Sequence, residues 1–312
     1  MKVLLLGANG QLGRTFLRHG GLAARGFVTA ATRDGQLVDG GHGVVADLSA
    51  PATLIALLDA EQPDVIVNAA AYTAVDRAEQ EEDAATRINA EAVNVVALWA
   101  KSHDALVVNY STDYVFPGDA NNPYREDAAV APSGAYGRSK LAGEKALATS
   151  GAPYFNFRTA WVYSPVGHNF LRTMLRLGTE RDELRVVADQ VGCPTDTVLI
   201  VEATLAAIDR WMTTESGARK ALEGTYHLTA SGETSWHGFA SAILERAAQR
   251  GLLAKAPAVH AIGSGEFPTP AKRPAYSVLD NTLFVRTFDY PLPDWRIGLD
   301  RTLDAMSSTR NS

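Results

Sequence analysis

Short apolar runs rich in β-branched residues recur through the first half of the chain, each followed by a longer stretch with apolar residues at helical spacing. "KVLLLG" (2–7) predicts a buried strand and "GQLGRTFLRHG" the helix after it. "GFVTAA" (26–31) and "GVVADL" (43–48) predict a second and a third strand. "SAPATLIALLDAEQP" predicts a helix with Ser49 as N-cap and Pro51 in its first turn. A fourth strand is expected in "DVIVNAA" (64–70), a long helix over 83–103, a fifth strand in "ALVVNYS" (105–111), a helix over 134–149 and a sixth strand in "YFNFRTAWVY" (154–163). Strands that are apolar throughout and separated by helices imply a parallel sheet covered on both faces, hence a doubly wound α/β fold. Beyond residue 165 the alternation loosens. Helical patches stand at 169–180, 197–213 and 235–251, "GTYHLTAS" (224–231) predicts one more strand, and the tail is rich in proline. The division expected is a larger unit over 1–165 plus the strand near 224–231, and a smaller, mostly helical unit over 166–223 and 232–312.

Composition narrows the class. The 312 residues are 46% hydrophobic and 21% charged, enough for one sizeable core or two merged domains. A net charge of −6 argues against nucleic acid as partner, because phosphate binding needs clustered Lys and Arg. One cysteine, Cys193, excludes an internal disulfide framework and suits a reducing cytoplasm, the expected location. No apolar run approaches the roughly 20 residues of a membrane span.

Three constellations carry chemistry. In "GANGQLG" the glycines Gly7, Gly10 and Gly13 follow the first strand and open the first helix, where a tight turn lets a pyrophosphate approach a helix N-terminus. At the end of strand two, "TAATRDG" sets Arg33 where an NAD site usually carries an acid. A guanidinium there suits a 2′-phosphate, favouring NADPH with NADH possible, unless Arg33 is only a solvated surface group. Asp47, closing strand three, either meets an adenine edge or caps a helix. Strand five ends in "NYSTDYVF" with Ser111, Thr112 and Asp113, and the helix that follows sets Tyr136 four residues before Lys140. At that spacing the two side chains share a helix face. An ammonium about 4 Å from a phenolate would lower the phenol's pKa by roughly 3 units, bringing an ordinary value of about 10 towards neutrality. Thr112 would add a second hydrogen bond to a substrate oxygen.

With "GANGQLG", "PDVIVNAAAYTAVDRAE", "YSTDYVFPG", "YGRSKLAGEKAL", "FRTAWVY", "DQVGCPT" and "FPTPAKRP", nearly the whole chain resembles the extended short-chain dehydrogenase/reductases of Rossmann type, and within them the dTDP-4-dehydrorhamnose reductase branch. The resemblance implies NAD(P)H-dependent reduction of the 4-keto group of a dTDP-linked deoxysugar in dTDP-rhamnose biosynthesis. Tyr136 would donate the proton, Lys140 would tune it and anchor the ribose, and Thr112 would be a third catalytic hydroxyl. Gly10, Gln11 and Leu12 would meet the cofactor phosphates, Asp47 and Leu48 the adenine side, and Ala69, Ala70, Ala71 and Tyr110 the cofactor channel. Thr112, Asp113 and Trp161 would hold the sugar nucleotide. Arg273 would fork onto its pyrophosphate or else anchor a loop, with Arg158, Asn169 and Gln190 as further nucleotide candidates. Trp236 is expected to pack in the core. No metal is needed, and no His forms a ligand pattern. Some relatives bridge two subunits through glutamate-held Mg²⁺. Thr15, Val198 and Arg296 stand at those places, so a monomer or a dimer without that bridge is expected. Two rival readings are a reductase of another 4-keto-6-deoxyhexose and a non-catalytic cofactor-binding subunit.

Overall fold

The computed structural model describes residues 1–310. In the first half, strands and helices alternate: β1 (Lys2–Leu6), α1 (Gln11–His19), β2 (Phe27–Thr32), β3 (Val44–Val45), α2 (Leu54–Glu61) and β4 (Val65–Asn68). Then come α3 (Val75–Ala78), α4 (Glu82–Thr86), α5 (Ala92–His103), β5 (Leu106–Thr112), α6 (Ala135–Ser150) and β6 (Tyr154–Thr159). The second half holds β7 (Val162–Tyr163), α7 (Phe170–Glu180), β8 (Glu183–Val187), β9 (Val191–Gly192), β10 (Thr195–Asp196), α8 (Thr197–Thr213) and β11 (Gly224–His227). It ends with β12 (Thr234–Ser235), α9 (Trp236–Gln249), β13 (Ala258–Ile262), α10 (Thr282–Phe288) and α11 (Trp295–Arg310).

Seven of these strands make one parallel sheet in the order β11-β6-β5-β4-β1-β2-β3. Period-2 alternation sends neighbouring apolar residues to opposite faces. Val3, Leu5, Val65 and Val67 enter one core, which also takes Phe16 of α1 and the apolar side of α8. Leu4, Leu6 and Ile66 enter the other, under α2, α5 and Leu147 of α6. The strand order reverses between β1 and β4, and in such sheets ligands bind in the crevice at that switch, beyond the carboxyl ends of the strands. The second half adds a parallel pair, β8 with β13, against which α9 packs.

A polar ladder sits inside this apolar sheet. Asn68, Asn109 and Asn156 are opposite one another on β4, β5 and β6, and Thr225 of β11 is opposite Asn156. Each amide donates to the next side chain, Asn68 to Asn109 at 2.9 Å, Asn109 to Asn156 at 2.9 Å and Asn156 to Thr225 at 3.2 Å. All three asparagines are buried. A slip of one residue would turn every amide to the other face and leave it unpaired, so the ladder fixes the register of four strands.

Several elements differ from the sequence pattern for local reasons. The third strand shrinks to Val44–Val45 at the sheet edge. Ser49 does not cap α2; its N–H and hydroxyl both donate to Asp47 Oδ1, and a 3₁₀ turn, Pro51–Thr53, precedes the helix. The helix expected over 83–103 contains a π-helical turn, Arg87–Glu91, which aims the buried Asn89 at Tyr72 and Ser139. The sixth strand stops at Thr159 because Trp161 adopts a left-handed φ of 48°. The strand expected over 224–231 ends at His227. The β8/β13 pair, α10 and α11 were hidden by short runs and by the prolines around them.

Asn109→Ala removes the central rung and orphans a donor on Asn68 and an acceptor on Asn156. Equilibrium urea unfolding should show a loss of about 2–4 kcal/mol; a loss under 1 kcal/mol would mean the ladder does not set the register.

Candidate functional site

The cleft of about 860 Å³ beyond the carboxyl ends of β1, β4 and β5 is built first by glycine. Gly7 has a φ of +76°, and a Cβ there would lie 2.6 Å from the Ala70 backbone nitrogen, so only glycine lets the ends of β1 and β4 approach. Gly10 precedes α1 with extended backbone and no side-chain cap, leaving the first N–H groups of the helix to the cleft. Gly7, Gly10, Gln11 and Leu12 line the cleft, facing Ala69, Ala70 and Ala71. Gly13 lies behind the turn. A Cβ on it would meet the Gly7 carbonyl at 2.2 Å, so it serves helix packing.

At one end of the cleft stand Arg33, Asp47 and Leu48. Arg33 is exposed. The acid beside it, Asp34, is turned back to accept from the Gln36 N–H and the Thr32 hydroxyl, which holds its carboxyl below the usual range. Asp47 is held low in the same way by Ser49. Arg33 thus stands exposed beside two ionised carboxylates whose Oδ1 atoms are engaged by neighbouring N–H and hydroxyl groups.

At the other end, α6 is fastened at its first turns. Glu79 accepts the Ala135 N–H at 2.9 Å, and Asn89 donates to the Ser139 hydroxyl at 3.0 Å. This presents Tyr136 and Lys140 to Thr112 and Asp113 at the end of β5, all four lining the cleft. Thr112 donates to Asp113 at 2.9 Å, and the Tyr136 ring stands edge-on to Tyr114, centroids 5.6 Å apart. Burial raises the Tyr136 phenol above its ordinary value, the Asp113 carboxylate adds to this, and a hydrogen bond with Thr112 opposes it. The acidified phenol that the four-residue spacing suggested is not the state found here. Lys140 sends its ammonium 2.5 Å to the Tyr110 carbonyl, and desolvation brings its pKa down to about 8. Tyr136 thus holds its proton at neutral pH. Burial also pushes Asp113 up to about 6, against hydrogen bonds from Ser277 and Thr112.

Other candidates fall into place around this centre. Tyr110 lines the cleft, but its hydroxyl is paired at 2.8 Å with Thr204 in the core. Trp161 lines the cleft in its left-handed conformation, its ring stacked 3.5 Å from Trp236, which packs on the main core. A left-handed non-glycine residue costs about 1 kcal/mol or more and tends to mark functional positions. Arg273 is not in the cleft wall; it pairs with Asp76 at 2.8 Å and donates to the Tyr114 hydroxyl at 3.2 Å. Asn169 caps α7 and donates to Gln11 at 2.7 Å. Arg158, expected near a nucleotide, is instead buried against Glu144. Sequence reasoning passed over that pair and the Glu79 cap, although "KLAGE" already sets Glu144 one helical turn beyond Lys140. Thr15 hydrogen-bonds Thr197, and Arg296 pairs with Asp294. Among the described residues no cluster of three His, Cys, Asp or Glu side chains is arranged around a metal position.

A family model described as the RmlD substrate binding domain matches residues 1–308. The chain is 46% identical over 300 residues to a dTDP-4-dehydrorhamnose reductase of Burkholderia thailandensis, covering 95% of this chain and 96% of that one. Among solved structures it resembles a dTDP-4-dehydrorhamnose reductase of Clostridium acetobutylicum (TM-score 0.85, 37% identity, 98% and 99% of the two chains covered). It also resembles one from Bacillus anthracis solved in complex with NADP (TM-score 0.83, 34% identity, 97% and 99% covered).

Because the folded pKa of Asp113 lies above that of the unfolded chain, its ionisation opposes folding. The native state has this carboxyl least unfavourable below about pH 4 and loses up to roughly 3 kcal/mol as pH rises through 6. Asp113→Asn should therefore raise the melting temperature at pH 8, with the gain shrinking towards zero on acidification to pH 4–5. Calorimetry showing a gain independent of pH would contradict this.

Proposed function

Since the chain belongs to the dTDP-4-dehydrorhamnose reductase family, we propose that it is an oxidoreductase reducing the 4-keto group of dTDP-4-dehydro-L-rhamnose to give dTDP-L-rhamnose, with NADPH preferred and NADH accepted. The observation that carries this reading is the meeting of Thr112, Tyr136 and Lys140 at one end of a cleft that the glycine turn also lines. The unit over 1–165 with the strand near 224–231 would hold the cofactor, and the smaller unit the sugar nucleotide.

The residues fit that cofactor. The turn at Gly7 and Gly10 lines the cleft and leaves the first N–H groups of α1 uncapped beside it, which suits a pyrophosphate. Arg33, exposed at the cleft and beside acids already accepting from Gln36, Thr32 and Ser49, suits a 2′-phosphate. Asp47 and Leu48 would flank the adenosine, and Ala69, Ala70 and Ala71, with no bulk beyond Cβ, would let a flat ring lie on β4. When bound, the reduced nicotinamide would supply the hydride for C4 of the sugar.

The chain's own part is the proton. A ketone oxygen that gains a hydride at its carbon becomes an alkoxide, far more basic than even a buried phenol, so Tyr136 gives up its proton to it although burial has raised its pKa. Thr112, whose hydroxyl proton goes to Asp113 in the unliganded cleft, would turn it to the same oxygen as charge develops there. Lys140, as an ammonium, offsets the charge left on the phenolate and offers donors to a ribose hydroxyl. Solvent then reprotonates Tyr136. Trp161 provides an apolar wall for the 6-deoxy end of the sugar, and Asp113 accepts from its hydroxyls. Arg273 would exchange part of its pairing with Asp76 for the substrate pyrophosphate.

The test is NADPH consumption with enzymatically made dTDP-4-dehydro-L-rhamnose beside other 4-keto sugar nucleotides. Turnover should be fastest with the first, and preference for another sugar would move the assignment to that substrate. Tyr136→Phe should lower kcat at least about 10²-fold with NADPH affinity kept. Unchanged activity in that variant, or a parent that binds NADPH and reduces none of the sugars, would favour a binding subunit. Arg33→Ala should raise KM for NADPH at least about tenfold and leave KM for NADH within a factor of two; equal effects on both would remove Arg33 from the 2′-phosphate site.

A further inference from the structure

Beyond Lys140, α6 makes one more turn and presents Glu144 on the same face. Glu144 is 5% exposed, and Arg158 on β6 is 6% exposed. Arg158 grips the carboxylate as a fork, Nε at 3.0 and 3.2 Å from its two oxygens and Nη2 at 2.7 Å. Its Nη1 donates to the Glu126 carbonyl at 3.3 Å, and its guanidinium carbon lies 5.0 Å from the Phe116 ring centre. Burying such a pair is expensive, and a hydrophobic pair of similar volume is often as stable. Stability alone therefore does not account for it. Its location does: α6 is held to the sheet at two successive turns, by Lys140 on the Tyr110 carbonyl and by Glu144 on Arg158.

We infer that Glu144 is a positioning residue for the reaction, its carboxylate serving as the buried counter-charge that keeps Lys140 an ammonium while Arg158 pins the helix register that aims Tyr136 and Lys140 at the end of β5. This rests on the reading that those two residues manage the proton. Desolvation works against the ammonium, and Glu144 is the charged neighbour that favours it. The remaining groups near Lys140 are disposed otherwise. Asp113 and Tyr114 lie at the Tyr136 end, and the Tyr110 phenol points to Thr204. Arg158 faces Glu144, and His227 beside it is kept neutral by burial and by that guanidinium. On the elements packed against α6, Asp76, Arg77, Glu79, Glu81, Glu82, Asp83, Arg87, Glu91, Lys101 and His103 are all at least partly exposed, and Tyr154 is only half-buried. No other buried carboxylate stands beside the Lys140 end of the cleft among these groups.

The chain has seven lysines, so the Lys140 amine can be titrated by NMR on protein with ¹³C-labelled lysine, its signal assigned by Lys140→Arg. Parent, Glu144→Gln, Glu144→Asp and the double variant Glu144→Gln/Arg158→Met are compared, with kcat against pH measured alongside. The double variant removes both charges of the pair together and so leaves neither Glu144 nor Arg158 as a buried ion without its partner. The Lys140 midpoint, near 8 in the parent, should fall by about one pH unit or more in Glu144→Gln and in the double variant. The alkaline limb of kcat should move down with it, kcat at pH 8 should drop at least about fivefold, and KM for NADPH should stay within a factor of three. Glu144→Asp should restore the midpoint. A midpoint that stays in place in the folded double variant overturns the inference. So does a double variant that fails to fold, because the pair would then be a structural requirement alone. If the midpoint falls but the parent reduces no sugar nucleotide, the functional reading fails while the Glu144–Lys140 coupling stands.

Discussion

The cleft depends on strand register. Most of the residues that meet Tyr136 and Lys140 of α6 in the cleft lie at or just beyond the carboxyl ends of β1, β4, β5 and β6, so a slip of one residue in any of these strands would turn its contribution to the opposite face. Apolar packing specifies register weakly in a parallel sheet buried on both sides, because Val, Ile and Leu on either face satisfy either arrangement. The amides of Asn68, Asn109 and Asn156 do not tolerate that exchange. They lie just before Ala69, before Tyr110 to Asp113, and before Arg158 to Trp161. The polar rungs thus align the three strand ends that face α6 and the glycine turn.

The reactive end shows burial prevailing over charge. A phenol and an ammonium one helical turn apart would attract strongly at low dielectric, but the geometry gives the ammonium to a backbone carbonyl. Desolvation then moves both groups towards neutrality, the phenol upward and the amine downward. For a proton donor this is a serviceable arrangement. The acid keeps its proton until a stronger base appears, and the cation is poised where its charge responds to what lies beside it. Asp113 follows the same rule, a carboxylate whose proton affinity is raised by dryness and restrained by Thr112 and Ser277.

What could be read from the sequence was what local chemistry dictates. Glycines at 7, 10 and 13 announce a turn because no other residue fits, and apolar runs announce strands. What could not be read was pairing between distant segments. Arg158 looked like a nucleotide contact because nothing local reveals that Glu144 will meet it, and Ser49 looked like a helix cap because nothing local shows Asp47 capturing it first. Trp161 could be chosen as a wall residue, but its left-handed backbone follows from packing against Trp236 and Gly192, where a Cβ would collide with the indole at 2.5 Å. The β8/β13 strands needed a partner about 75 residues away to exist at all.

The two halves of the molecule share one hydrophobic core, and α1 packs on α8, but two polar links between them border the cleft. Gln11, in the glycine turn, accepts from Ser164 and from Asn169, the residue that caps α7. On the opposite side Asp76 accepts from the Ala271 N–H and pairs with Arg273, which also reaches Tyr114. Each link joins a cleft element of the first half to a segment of the second, and each uses a polar group that an anionic ligand would also attract. A ligand phosphate at the turn competes for the same surroundings as Gln11, and one near Tyr114 competes with Asp76 for Arg273. If the cleft takes a dinucleotide and a sugar nucleotide as proposed, each ligand meets polar groups that the unliganded protein already pairs with one another.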